Sequence, residues 1–418
     1  MALTTRGLRL GTERGTFAVP RAALSEPGGA LSLAQRLAER VAGLPDGEVR
    51  RARQAALDRR QASPGRPLVG PALAALCVGF HVLASAFPNV AYGGEYWRAL
   101  GLALEPWRLL TAQLLHAGIP HLALNALGLF VLGGLLERQL GASRTVLVSA
   151  AAAAGAMLGC VAAGYESVVG VSGVVAGYAG ALIALELRRP DLLPATLRLP
   201  RGVLVGAVLA EFVALSFVPN VAHGAHAGGL LAGGVAALAI APDAASSFAA
   251  GRGLRVAAAA ALGISLALLL GFAHGLLDPG TAAARRGELL LEARRAVPVL
   301  LLNNDAWTIA TSADPTEDEL ELALQLARRA VRATDRTDPN YLDTLAEVYF
   351  QLGRGEEAVA TIERAISLAP GEPYFEEQRR RFVGERAPDD RPDPPEQLPE
   401  GGEPERPGLE PSGPGVEV

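Results

Sequence analysis

Gly170-Val171-Ser172-Gly173 heads an apolar run, 169–187, that carries no charged side chain until Glu186. Small residues at Ser172, Ala176 and Gly180 share one helical face. About 20 mostly apolar residues are what a helix needs to cross a bilayer. The stretch therefore reads as a membrane helix with a hydroxyl at its head. Polar groups are expensive in hydrocarbon, so one placed there points to function by default.

Outward from this run the sequence offers six more candidate spans, at 67–87, 114–136, 145–165, 202–219, 222–241 and 255–277. Half of the 418 residues are hydrophobic, and every basic side chain is an arginine. The predicted fold is all-α: a polytopic bundle of six core spans plus one C-terminal span, followed by a small soluble helical-repeat region. The boundaries are a basic cytoplasmic segment at 1–66, the membrane core at 67–242, a seventh transmembrane helix within 243–280, helical repeats at 298–384 and a disordered acidic, proline-rich tail at 385–418. Segment 1–66 carries twelve Arg against six acids, shows helical periodicity over 32–62, and has no apolar core of the signal-peptide kind. Cys77 and Cys160 both fall in predicted spans, which does not support a disulfide framework.

Arginine placement sets the orientation. Arg138 and Arg144, then Arg188, Arg189, Arg198 and Arg201, then Arg252 and Arg255 all fall in connections on one side. The opposite loops at 165–169 and 219–222 hold none, although the long loop at 88–113 holds Arg98 and Arg108. The N-terminus is thus expected in the cytoplasm of a bacterial cell, with the protein in the inner membrane and the repeats outside the cytoplasm.

In the C-terminal third, Ala323-x-x-x-Ala327-x-x-Ala330-Val331 recurs as Ala358-x-x-x-Ile362-x-x-Ala365-Ile366, an offset of 35. With 303–310 as an earlier first helix, this resembles about two tetratricopeptide repeats, fewer than the three usually needed for an independent solenoid. Such a surface suits a peptide or protein partner.

Around Ser172 a chemistry can be assembled. Helix starts gather free N–H groups and positive dipole, which would hold an oxyanion. Ala225-His226-Ala227-Gly228-Gly229 begins the sixth span, and both span starts face the same side. His226, Gly229 and Gly233 share a face, and small residues let helix backbones approach closely in a membrane. His226 would take the Ser172 proton and pass it to a leaving amine. The second span adds His116, and His121 with Asn125 one turn on, as hydrogen-bond donors. All six histidines lie between residues 81 and 274, and three, His116, His121 and His226, fall in these motifs.

Together these motifs resemble the rhomboid family of intramembrane serine proteases. The resemblance spans about 67–242 and rests on Trp107-Arg108, Thr111, His116, His121, Asn125, Gly133-Gly134-Leu135-Leu136-Glu137 with Gly141, the Gly170-x-Ser172-Gly173 motif, and Ala225-His226-x-x-Gly229. It implies Ser172 as nucleophile, His226 as base, and an oxyanion site from His121, Asn125 and the Ser172 backbone. It gives His116, Gly170, Gly173, Trp107, Arg108 and Glu137 supporting places. It implies hydrolysis of peptide bonds in or near the transmembrane helices of protein substrates within the lipid bilayer, with no cofactor, no metal and no nucleic-acid partner. One departure is Ala176, where many bacterial members of that family carry a tyrosine packed on the histidine; Tyr178 projects elsewhere. Glu211, mid-span in 202–219, reads as a neutral acid bonded to a backbone carbonyl. Two alternatives compete: a silent relative that binds membrane helices, against which stands the intact Ser172–His226 pair, and a transporter, against which stands the lack of paired half-repeats.

Overall fold

A computed structural model describes residues 2–4, 7–12, 15–20, 66–100, 105–193, 206, 221–242, 250–293 and 297–392. The chain divides into two compact units, Met1–Leu277 and Asp278–Val418.

The first unit opens with strands, so the all-α expectation needs correcting. β1 (Ala2–Thr4), β2 (Gly7–Thr12) and β3 (Gly15–Pro20) form an antiparallel sheet, with Thr4 opposite Gly7 and Thr12 opposite Gly15. Two-residue connections of this kind suit tight hairpins. The helical periodicity at 32–62 lies outside the described residues.

Among the described residues five helices are long and apolar enough to cross a membrane: α1 (Val69–Ala86), α4 (Ile119–Leu140), α5 (Ala142–Ala163), α7 (His223–Ile240) and α8 (Arg252–Leu277). The fourth predicted span forms α6 (Ser172–Arg188). Its 17 residues reach roughly 26 Å at 1.5 Å each, just short of a ~30 Å hydrocarbon core. The fifth predicted span, 202–219 with Glu211, lies outside the described residues. Between α1 and α4 run α2 (Pro88–Gly94), the short strand β4 (Tyr96–Trp97) and α3 (Arg108–Leu114). Large apolar side chains point outward from α1 (Val78, Val82, Leu83) and α8 (Leu262, Ile264, Leu266, Leu270), as lipid-facing surfaces do.

The second span starts later than the hydrophobicity suggests. Gly118 is fully extended and Pro120 sits in the first helical turn, so the helix begins at Ile119 rather than residue 114. His116 therefore lies in the turn before the helix. Within α4, Leu129–Gly133 forms a π-helical turn. α1 crosses there so closely that a Cβ on Gly70 would lie 2.2 Å from the Leu129 carbonyl oxygen. At the other end of α4, Glu137 accepts hydrogen bonds from the N–H groups of Leu68 (2.9 Å) and Val69 (2.8 Å). Its carboxylate thus caps the start of α1, where unpaired donors and the positive dipole end welcome an anion.

α7 is held between two backbones. A Cβ on Gly229 would lie 2.0 Å from the Gly173 oxygen, and one on Gly233 2.2 Å from the Gly177 oxygen, both on α6. On the opposite side, a Cβ on Gly228 would lie 2.1 Å from the Gly155 oxygen of α5. The α7 face runs through Gly229 and Gly233; on α6 it meets the Gly173 and Gly177 oxygens, and the predicted Ser172–Ala176–Gly180 face meets α7 at Gly180, where a Cβ would lie 2.0 Å from the Leu230 oxygen.

The second unit is helical: α9 (Pro279–Glu292), α10 (Val299–Ala310), α11 (Glu317–Ala333), α12 (Pro339–Gln351), α13 (Gly355–Leu368) and α14 (Pro373–Phe382). α10 packs on α11 and α12 on α13. Ala323, Ala327 and Ala330 in α11, and their counterparts Ala358, Ile362 and Ala365 in α13, are all fully buried. The 35-residue offset thus marks equivalent core-facing positions. A capping box of Thr316 and Glu319 starts α11. Arg286 and Asp305 form a buried ion pair at 2.6 Å between α9 and α10.

The tail boundary also moves. Residues 385–392, expected to be disordered, contact the helices: Arg381 Nη1 donates to the Pro388 oxygen (2.7 Å) and Arg391 Nη2 to Glu347 Oε1 (2.9 Å), while the Asp390 N–H closes a turn on the Ala387 oxygen (3.0 Å). Residues 393–418 lie outside the described residues.

Candidate active site

Ser172 and His226 meet. Ser172 Oγ and His226 Nε2 are 2.8 Å apart, within hydrogen-bond distance although 54 residues separate them in sequence. The glycine contacts between α6 and α7 make that approach possible. His226 lies one turn from Gly229, and Ser172 adjoins Gly173. A side chain at Gly229 would part the two helix heads, whereas one at Gly173 would first meet Ala156 of α5, at 2.4 Å.

The segment entering α6 is pinned to the preceding loop. β4 pairs antiparallel with β5 (Ser167–Val168), and the Gly170 N–H donates to the Ala112 oxygen of α3 (2.8 Å). Gly170 has φ +117, a conformation that favours glycine, and a Cβ there would lie 2.7 Å from the His121 ring. His121 is thereby set two residues from Ser172. His116 packs edge-on against it, ring centroids 5.1 Å apart. The His116 Nδ1 lies 3.2 Å from the Leu114 oxygen, while its Nε2 is buried without a hydrogen-bond partner. The Nδ2 of Asn125, one turn beyond His121, is likewise buried and unpartnered. Unsatisfied buried donors are rare and call for an explanation.

His226 Nδ1 is also buried, and among the described residues no third group orients the imidazole. What fixes α7 locally is the Gly224 N–H, which donates to Tyr165 Oη (3.1 Å). Sequence reasoning missed Tyr165; its signal was only a ring at the start of the loop at 165–169. Ala176 is buried, and Tyr178 turns away from the pair to bond Ser149 Oγ (2.7 Å).

Trp107 and Arg108 organise the loop rather than touch the serine. Arg108 is buried, with Nε on Glu105 (2.5 Å) and Nη1 on the Tyr92 (2.8 Å) and Glu95 (2.6 Å) oxygens. Thr111 Oγ1 donates to the Gly94 oxygen (2.7 Å). Trp107 Nε1 donates to the Gly93 oxygen (3.2 Å), and its ring lies against Gly271 and Gly275 of α8. Burial pushes the Glu95 carboxyl above its ordinary value, with a Ser167 hydrogen bond and the Arg108 charge pulling it back. Glu137 is remote in role, capping α1 as described.

A hydroxyl hydrogen-bonded to an imidazole, both at the heads of closely packed apolar helices, is the geometry that a nucleophile and its base require. Residues 103–243 match the Rhomboid domain family. The chain is 31% identical over 273 residues to "Rhomboid protease GluP" of Bacillus subtilis (strain 168), covering 64% of this chain and 46% of that protein. It is 33% identical over 142 residues to "RHOMBOID-like protein 6, mitochondrial" and 34% over 142 residues to "RHOMBOID-like protein 2", both of Arabidopsis thaliana. Those alignments cover 34% of this chain in each case, and 46% and 44% of the two relatives. The chain thus spans about half the length of these relatives. Together the matches support the rhomboid family, and with the apolar helices they point to a multi-pass integral membrane protein.

Proposed function

We propose that this protein is a serine endopeptidase that cuts peptide bonds in or beside the transmembrane helices of protein substrates. The observation that carries the reading is the 2.8 Å approach of Ser172 Oγ to His226 Nε2. Ser172 Oγ attacks the scissile carbonyl carbon as its proton passes to His226 Nε2. The resulting oxyanion is held by Asn125 Nδ2, the His121 ring and N–H groups at the head of α6, the first of which have no acceptor within the helix. His226 returns the proton to the leaving amine, and the acyl-serine bond breaks by attack of a water that His226 deprotonates. His116, against His121, is a positioning residue in this scheme.

The topology belongs to the same proposal: seven spans, the N-terminus in the cytoplasm of a bacterial cell, and the second unit beyond the inner membrane. There the α10–α11 and α12–α13 hairpins act as tetratricopeptide-like repeats that recruit a peptide or protein partner. The test is cleavage of a model transmembrane substrate in liposomes, comparing the intact chain with Ser172→Ala and His226→Ala. Cleavage and serine-probe labelling by the intact chain, both abolished in Ser172→Ala, are expected. Equal cleavage by the Ser172→Ala protein would overturn the assignment.

A further inference from the structure

The last described residues of the chain enter a notch on the helical-repeat unit. The Arg391 guanidinium carbon lies 5.7 Å from the centre of the Trp307 ring on α10. Its Nη2 donates to Glu347 Oε1 on α12 at 2.9 Å. Trp307 and Glu347 stand on the first helices of the two hairpins, so one side chain bridges both. Glu347 is fully buried, and its other oxygen is taken by Arg381 of α14, itself fully buried. Gln351 Nε2 also donates to Glu347 Oε1 (2.8 Å). A carboxylate beside an aromatic face offers a guanidinium both an ion pair and a cation–π contact.

The segment that delivers Arg391 is weakly attached elsewhere. Ala387, Pro388, Asp389 and Asp390 are exposed, Arg386 and Arg391 are half-buried, and Pro392 is buried. The remaining ties are Arg381 to the Pro388 oxygen and three exposed ion pairs: Arg386 with Asp390, Arg386 with Glu377, and Arg380 with Glu385. Exposed pairs contribute roughly 0–1 kcal/mol each. Among the described residues the strap is thus held chiefly by Arg391 and Pro392, with weaker ties along the rest of its length.

We propose that the Trp307–Glu347 notch is a guanidinium-binding site whose resident is the chain's own Arg391. Release of the 385–392 strap opens the notch to an arginine-bearing extended segment of a partner protein. The site goes beyond the protease reading and stands whether or not Ser172 is catalytic. A resident on a short tether competes at an effective concentration in the millimolar range, so removing it sharpens affinity for an external peptide.

The test uses the full chain in detergent and a fluorescent peptide of residues 385–396, read by anisotropy. Arg391→Ala should bind this peptide at least tenfold more tightly than the wild-type chain. A peptide with alanine in place of its second arginine should not bind, and one with lysine there should bind more weakly than the original. Equal binding to both proteins, or none to either, overturns the proposal. A second measurement needs no variant: hydrogen exchange at the Asp390 amide of the wild-type chain. Excess unlabelled arginine peptide should accelerate it and the alanine peptide should not; no acceleration counts against an exchangeable strap.

Discussion

Gly229→Ala adds one methyl group and should disable the site without touching a reacting atom. The new carbon would lie 2.0 Å from the Gly173 oxygen, whereas ordinary contact needs about 3.5 Å. Neither partner atom can swing aside, because the obstacle is backbone. α6 and α7 must part by roughly 1 Å or more, at the turn that carries Ser172 and His226. A 2.8 Å hydrogen bond then stretches to about 4 Å, beyond the reach of direct proton transfer. A misplacement of this size costs about 10²-fold in rate. The assay is initial cleavage rate of a transmembrane substrate, paired with thermal unfolding to show that the variant is folded. Gly233→Ala, one turn further from the pair, should lose less activity. Gly79→Ala and Gly263→Ala, where nothing among the described residues lies within 4 Å of the added carbon, should lose none. A folded Gly229→Ala protein within threefold of wild type would refute the claim that glycine contact sets the Ser–His distance.

Two further outcomes are expected. Glu137→Ala removes the acceptor of the Leu68 and Val69 N–H groups and should destabilise the membrane unit by about 1–2 kcal/mol in unfolding titrations, while Glu137→Gln, which keeps an acceptor, should lose less. Asp343 is buried on α12, bonded by Tyr374 Oη (2.9 Å) and Gln378 Nε2 (3.1 Å), and burial lifts its carboxyl from the usual value to about 7. A raised folded value means its favourable contribution is full below the unfolded value near 4 and is lost as pH rises through about 7, a change on the order of 2–4 kcal/mol. The second unit should thus unfold more easily at pH 8 than at pH 5, and Asp343→Asn should flatten that slope; an unaltered slope would exclude Asp343 as its source.

What could be read in the sequence was whatever local pattern encodes. Ser172 and His226 stood out because polar side chains at the heads of apolar runs have few other reasons to be there. The i,i+3 and i,i+4 spacing of Gly229 and Gly233 marked the right α7 face. The same periodicity could not say which α6 residues would oppose it, since the contact depends on how two helices rotate against each other. Nor could it show that α7 has a second glycine face, Gly224 and Gly228, against α5. The start of α4 was misplaced because Leu114 and Leu115 are apolar, while Gly118 and Pro120 set the boundary. Tyr165 and the Gly170–His121 contact join segments far apart in sequence, which periodicity does not encode. At the N-terminus, alternation over residues 7–20 was masked by charge, and at 385–392 composition suggested disorder where one arginine provides an anchor.

The cap on α1 also has a temporal side. Its first helical donors are completed by a residue 68 or 69 positions later in the chain. At about 5–20 residues per second of synthesis, the first span waits roughly 3–14 s before Glu137 has been made. During that interval the Leu68 and Val69 N–H groups must be served by interfacial water or lipid headgroups. Insertion of α1 and its docking against α4 are therefore separate events in the life of each molecule. The second becomes available only when the end of the second span emerges.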